Sequence, residues 1–513
     1  MKAEPCLWRF CRFTLWLFAC AVVLSVFFLN IVHSAQVQYT SFEIVEYATP
    51  WVQNLILLFG IAALCFLACR YRKQAAALKE GRLFLVLCVV YALAAAYIIF
   101  NSCKELRADA GTVFLGVSDF REGNYWLFES GNYFSYYPQQ LGLLFYDSLL
   151  TALWDDPRIL FIANTVFILG INCFTWRISD LLFGNHIINL LSIALSFAFL
   201  PQFFFLMFAY GLLPGFFFLM AAFYFTLRFG QENKLRQLFA LVACIAVAVL
   251  LKQNYLIGGI AIFLYLLLKI FKKEGNWKYF VLLPLLLVAL VLPSNLLRLY
   301  YESRTGYELD NGIPAVLWVA MGTDQDNVNR YAPGGYDGTT LDIYFEHGCD
   351  KEAASEAGWN KLRENLEEMK EDPQEARFFF KDKIIYQWCD PLYQSIWSGP
   401  YKNDQQDTYT DVLKSVYNGG GLEKLIRFLS KGITLLIWCF TAITLLTKRK
   451  KLHDGWMLLS LFTIGGFLFH IFWEGKSQYI HPYVFILIPL AAYGFCLSCK
   501  KLQSWFGRSQ HEG

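Results

Sequence analysis

The chain has 513 residues, a formal net charge of +3, and 17% charged residues against 57% hydrophobic and 18% aromatic ones. A soluble globular chain carries roughly 25% charged residues, so water is not its main solvent, and nothing in the charge points to nucleic acid. Apolar stretches of about 18 residues or more are long enough to cross a hydrocarbon core of roughly 30 Å. They must do so as helices, because lipid offers no partner to a free backbone N–H and the alternation of barrel strands is missing.

The N-terminus, MKAEPCLWRFCR, leads into an apolar run from Phe13 to Val32 without a small-residue cleavage site, which reads as a retained first helix. Further apolar stretches fall at 51–69, 82–101, 137–154, 158–176, 186–205, 211–228, 237–252, 254–271, 278–297, 427–446, 455–473 and 479–498. Connections rich in Lys and Arg mark the cytoplasmic side. They lie at Lys2–Arg12, Arg70–Arg82, Arg228–Arg236, Lys269–Lys278, Lys448–Lys451 and Lys500–Arg508.

Between Arg82 and Arg228 lie five stretches, an odd number, whereas two cytoplasmic ends need an even number of crossings. One stretch therefore does not cross. The weakest is 137–154, which holds Pro138, Gln139, Gln140 and Asp147, and it is expected along the outer interface. The fold class that follows is an all-α polytopic membrane protein with about 12 transmembrane helices and both termini cytoplasmic. Its expected parts are three helices in 1–101, a first large outer loop at 102–157, six helices in 158–297, a mainly helical extracytoplasmic domain at 298–426, and three helices with a tail in 427–513.

The 298–426 segment carries 23 acidic and 13 basic residues, so the charge rule does not oppose an outer position. From Asp350 to Lys370 it has strong helix formers with Leu362, Leu366 and Met369 at helical spacing, and a second short helix is expected from Pro373 to Trp388. Gly334–Gly338 and Asn418–Gly421 mark turns. Cys349 and Cys389 could pair in an oxidising compartment, most other cysteines lie in apolar stretches, and no zinc-type spacing occurs.

The first outer loop reads VSDFREGNYWLFESGNYFSYYPQQLGLLFYDSLL and brings Asp119, Arg121, Glu122 and Glu129 together with tyrosines and a tryptophan. Carboxylates that accept hydroxyl protons beside rings that cover a pyranose face suit sugar binding. Interfacial aromatics and solvated carboxylates also occur without any ligand. Lys252 ends the apolar run ALVACIAVAVLL where the charge rule asks for no lysine; it reads either as a lipid-phosphate contact or as a snorkelling anchor. Arg298 and Arg304 could bind phosphate or cap the outer domain, and His470, inside a span, reads as a packing residue.

Several short motifs follow one another: Asp119 early in the outer loop, Tyr137 with Pro138 opening an interfacial helix, RISDLLFG at Arg177–Gly184, and WEGKSQYIHPY at Trp473–Tyr483. In this order the chain resembles the polyprenyl-phosphate-sugar-dependent glycosyltransferases of the GT-C superfamily, the group that includes protein O-mannosyltransferases and lipid A aminoarabinose transferases. The resemblance implies a plasma-membrane enzyme whose extracytoplasmic site moves a sugar, with inversion, from a polyprenyl-phosphate donor to a glycan, lipid or protein acceptor. Asp119 would be the general base. Glu122, Tyr137, Gln139, Lys252, Glu474, Lys476, Tyr479 and His481 would bind substrate. The chain departs from the family in having Phe120 beside the Asp and no carboxylate in the MFAYG loop at Met207–Gly211, which puts a divalent metal in doubt, and in having Gln478 where relatives often carry Arg, which would move the phosphate contact to Lys476 or His481. The competing classes are a flippase or transporter, which internal repeats and broken spans would mark, and a wall-polysaccharide polymerase or ligase, which would use a pyrophosphate-linked donor.

Overall fold

Helices dominate the computed structural model, which describes residues 5–38, 43–272, 277–309, 312–325, 332–400, 410–448 and 452–509. Parts of the predicted basic stretches, at 1–4, 273–276 and 449–451, and part of the polar segment, at 401–409, lie outside the described residues. Eight helices are long and apolar enough to cross a membrane: Cys6–Val32, Trp51–Arg70, Glu80–Asn101, Arg158–Phe183, Leu212–Glu232, Gln253–Phe271, Trp277–Thr305 and Gly421–Lys448. Two bent pairs raise the number to ten: His186–Ala198 with Leu200–Met207, bent by 49°, and Ser477–Phe485 with Ile488–Gln503, bent by 53°. Two shorter apolar helices, Leu235–Leu251 and Trp456–Phe472, stand where two further spans were expected. At about 1.5 Å per residue their 17 residues reach about 26 Å, a little less than a hydrocarbon core.

The 137–154 stretch is not among the candidate spans. Its helix, Leu141–Thr151, has 11 residues and reaches only about 16 Å. Asp147 on this helix faces protein, not lipid: the side chain is buried, and burial holds its carboxyl well above the ordinary 3.8.

Charge gathers at the two ends of the bundle. At one end Asp454 receives Lys269 at 3.0 Å, Lys272 at 2.7 Å and Arg12 at 3.9 Å, which ties the start of the first helix to the ends of two later ones. A Cβ on the neighbouring Gly455 would meet Leu182 and Leu227. The Arg158–Phe183 helix therefore finishes at this same end, where Asp180 accepts from Asn189 at 2.8 Å and Glu80 bonds His186 at 2.6 Å.

The other end carries the polar segment. The Trp277–Thr305 helix has 29 residues, about 44 Å, and so continues past a 30 Å core. Its extension pairs Arg298 with Glu302 at 3.4 Å, one helical turn apart. Next come helices Ala315–Thr323, Thr339–Glu346, Lys351–Glu371 and Pro373–Cys389. The two predicted from sequence start at their N-caps: Asp350 accepts from the Ala353 N–H and Asp372 from those of Gln374 and Glu375. The strands among the described residues form one antiparallel hairpin, β1 (Ser34–Val37) with β2 (Val45–Ala48). Cys349 and Cys389 sit in separate hydrophobic clusters and are not bonded to each other.

Candidate functional site

Lys252 marks the centre of the site. It caps the Leu235–Leu251 helix at the polar end and turns its ammonium onto aromatic faces, 4.0 Å from the ring centre of Tyr210 and 5.9 Å from that of Tyr479. Gly211, at φ +74°, makes the approach possible, because a Cβ there would lie 2.1 Å from the Leu251 carbonyl oxygen. Gly142 does the same from the next helix, where a Cβ would lie 2.0 Å from the Leu250 oxygen. Two close-packed glycines thus bring the 207–211 turn and the 141–151 helix against the end of the lysine's own helix. Among the described residues no carboxylate lies within ion-pair distance of Lys252. Burial lowers its pKa from 10.5 to about 8, against the pull of Asp109 and Glu474, and Lys476 adds to the lowering.

Asp109 is the carboxylate that faces this cluster. It lies in the first turn of the Ala108–Glu122 helix and is exposed to the open space there. Its charge acts on Tyr133, whose pKa is raised first by burial and then by the Asp109 charge; the Tyr133 hydroxyl is buried with no hydrogen-bond partner among the described residues. The same carboxylate acts on Tyr136, Tyr137, Tyr210, Tyr336 and Lys252, residues from four separate parts of the chain. Ala108 is held at φ +44°, in the left-handed region. Strain of this kind, about 1 kcal/mol or more, is stored where the surroundings fix it. The neighbouring Arg107 supplies part of that fixing: its guanidinium stacks on Trp397 at 4.4 Å and donates to the Trp397 carbonyl.

The rest of the rim is aromatic and hydrogen-bonded. Trp318 lies between Tyr137 at 6.2 Å and Tyr336 at 6.3 Å and stacks on Trp473 at 6.1 Å, and Gln140 donates to the Tyr210 hydroxyl at 2.6 Å. The floor is a carboxylate–lysine group: Lys476 pairs with Glu43 at 3.0 Å and Glu474 at 3.4 Å, and Tyr479 donates to Glu474 at 2.9 Å. Burial pushes the Lys476 pKa down, but Glu43 and Glu474 outweigh it and hold the group well above its ordinary value. Behind the floor, the fully buried Lys383 donates to the Trp473 carbonyl at 2.6 Å and to that of Gly322. Burial lowers its pKa to about 7.

The residues expected from sequence divide into two sets. Lys252, Tyr137, Glu474, Lys476 and Tyr479 come together. Asp119 and Glu122 do not join them, since they occupy the last turn of the helix that Asp109 begins, about 15 Å further along. Asp119 instead accepts from Trp126 Nε1 at 2.7 Å and from Asn124 at 3.3 Å, and Glu122 is exposed. Gln139 is exposed, and its neighbour Gln140 makes the contact. His481 is fully buried among Phe205, Phe216 and Phe199 at 5.1, 5.5 and 5.8 Å, so it is a packing residue and cannot reach a phosphate at the rim. His470 is buried as expected and stacks on Tyr479 at 5.6 Å.

Sequence reading passed over Asp109, Tyr133, Gln140, Tyr210, Tyr336 and Trp318. The one signal for Tyr210 was local, a tyrosine and a glycine breaking an apolar stretch. Among the described residues no three His, Cys, Asp or Glu side chains converge as a metal-ligand set. Compared with curated proteins, the chain has no match. Residues 8–498 match, nearly end to end, the family described as conserved hypothetical integral membrane protein, and the chain belongs to that family.

Proposed function

We propose that the protein is a membrane glycosyltransferase that moves a sugar from a polyprenyl-phosphate donor to an acceptor hydroxyl. The observation that carries this reading is that a carboxylate, Asp109, and a lysine with no ion-pair partner among the described residues, Lys252, face one aromatic basin. Asp109, rather than Asp119, takes the acceptor's hydroxyl proton as the oxygen attacks the anomeric carbon. The bond from that carbon to the phosphate oxygen breaks, and the electron pair leaves on polyprenyl phosphate, whose charge Lys252 holds in a setting of low dielectric. Attack from the face opposite the leaving group inverts the anomeric centre. Tyr137, Tyr336 and Trp318 offer ring faces to the sugar. Lys476, committed to Glu43 and Glu474, shapes the floor and makes the weaker phosphate contact.

The same reading includes the topology: 12 spans, made of the eight long helices, the two bent pairs and the two shorter apolar helices, with both termini cytoplasmic. The site then faces the extracytoplasmic side of the plasma membrane. The exposed carboxylate and the basic end of opposite placement support this orientation.

The decisive experiment incubates the purified protein with a panel of polyprenyl-phosphate sugars and measures released polyprenyl phosphate. Asp109→Asn keeps the shape but cannot accept the proton, and it is expected to lose about 100- to 10,000-fold in turnover while still binding donor. Full activity in a folded Asp109→Asn protein would refute the assignment.

A further inference from the structure

A second cavity, of about 650 Å³, opens beside the β-hairpin, between the start of the Trp51–Arg70 helix and the start of the Gly421–Lys448 helix. It is separate from the Lys252 basin. Asp390 stands between the two, 3.9 Å from Arg427 on the cavity side and hydrogen-bonded at 2.8 Å by Ser477 on the other. A volume of this size falls in the range of small-molecule sites, about 300–1,000 Å³.

Its lining is charged and unevenly satisfied. Glu423 is occupied by Arg427, and Glu46 accepts from Gln38. Lys431, 3% exposed, donates to Asn30 Oδ1 and the His33 carbonyl, both at 2.9 Å, and among the described residues has no carboxylate partner. Lys424 has none either. The three cations of the lining, Lys424, Arg427 and Lys431, thus outnumber its two carboxylates, Glu46 and Glu423, by one, and neither lysine is ion-paired among the described residues. In addition, Arg427 Nη1, whose nearest carboxylate is Asp390 at 3.9 Å, is buried without a hydrogen-bond acceptor, and Asn54, fully buried, has its Oδ1 without a donor. Such orphaned groups carry a desolvation cost of about 1–3 kcal/mol each until a partner arrives. The missing partner must be an anion with acceptor oxygens for the cations and at least one hydroxyl for Asn54.

Next to the cavity the Trp51–Arg70 helix shows Trp51, Val52, Ile56 and Phe59 at 54, 52, 61 and 75% exposure, an apolar face running from the cavity mouth along the helix. We propose that this cavity is a binding site for the hydroxylated phosphate headgroup of an anionic membrane lipid, with the acyl chains lying on that face. The site does not depend on the glycosyltransferase reading.

The test places the full-length protein in nanodiscs of nine parts phosphatidylcholine to one part phosphatidylglycerol and counts retained lipid by native mass spectrometry. The wild type should retain phosphatidylglycerol relative to phosphatidylcholine about tenfold above the bulk one-to-nine ratio, corresponding to about 1.4 kcal/mol of preference. Ala48→Trp fills the cavity from an exposed position without changing charge, and Lys424→Gln removes one free cation. Both should bring retention close to the bulk ratio with thermal stability unchanged. Retention of the two lipids in the bulk one-to-nine ratio by the wild type, or enrichment that survives both variants, would overturn the proposal. Soluble glycerol 1-phosphate should fail to displace the lipid at millimolar concentration; displacement below that would make the ligand a water-borne phosphate and overturn the lipid assignment.

Discussion

Lys252 gives the site a pH response whose sign follows from the geometry. Its pKa falls from 10.5 to about 8 in the empty basin, which corresponds to about 3 kcal/mol against carrying the charge there. Under the proposed function the ammonium, present below about pH 8, should attract the phosphodiester of a polyprenyl-phosphate sugar, which stays singly anionic across this range. Above it the ammonium is lost, so the apparent donor Kd should rise about tenfold between pH 7 and pH 9. Bound donor supplies the missing counter-charge and moves the lysine pKa back up. In the absence of donor the unfolded chain binds the proton more readily than the folded one, so folding stability should increase from pH 8 towards 10.5; saturating donor should flatten that increase. The assay is titration of a fluorescent short-chain polyprenyl-phosphate sugar into purified protein at four or five pH values. Lys252→Gln should bind more weakly at pH 7 and show no slope between pH 7 and 9. Lys252→Arg, charged throughout, should keep donor affinity at pH 9. A Lys252→Gln protein with wild-type affinity and slope would refute the assignment of phosphate to this lysine.

Three further outcomes follow from the same structure. Asp119→Asn, at a carboxylate remote from the basin, should change stability by no more than about 0.5 kcal/mol and leave polyprenyl phosphate release close to wild type; a collapse of turnover would restore Asp119 as the base. Ala108→Val places a β-branched side chain at φ +44° and should cost about 1 kcal/mol or more of stability, with turnover reduced more than donor affinity because Asp109 is displaced. Asp147→Leu replaces a buried carboxyl that has no donor on either oxygen and should stabilise the protein by about 1–3 kcal/mol. Burial raises the Asp147 pKa well above its ordinary 3.8, so wild-type stability should fall as pH rises above 3.8. Thermal unfolding at pH 4 to 6 should show that fall in the wild type and a smaller one in Asp147→Leu.

The helices were legible because the bilayer imposes one requirement over about 20 residues, and hydropathy averages over that length. The non-crossing 137–154 stretch was legible from parity together with Asp147, a residue that lipid does not tolerate. Lys252 could be found because a cation at the end of an apolar run conflicts with its surroundings. Asp109 had no such conflict: RADAGTVF reads as an ordinary helix start, and its importance comes from tyrosines at positions 133, 136, 137, 210 and 336 that only the fold brings near. His481 misled in the opposite direction. Its place in a polar motif suggested the rim, whereas the bend before Ile488 turns it into a phenylalanine cage. Motifs register neighbours along the chain, while burial is decided by neighbours across it.

The ion pair between Glu43 and Lys476 joins residues 433 positions apart and so sets a timetable for biosynthesis. Glu43 leaves the ribosome with the first hairpin and waits while nearly the whole chain is made, its charge answered only by water. The floor of the basin closes when the final pair of helices enters the membrane, and Asp109, Tyr133 and Lys252, all synthesised earlier, acquire their last wall at that moment. A chain stopped before residue 473 would therefore hold most of its helices and none of its completed site. The quality-control machinery of the membrane would meet it as an inserted protein with an open polar wound rather than as an unfolded one.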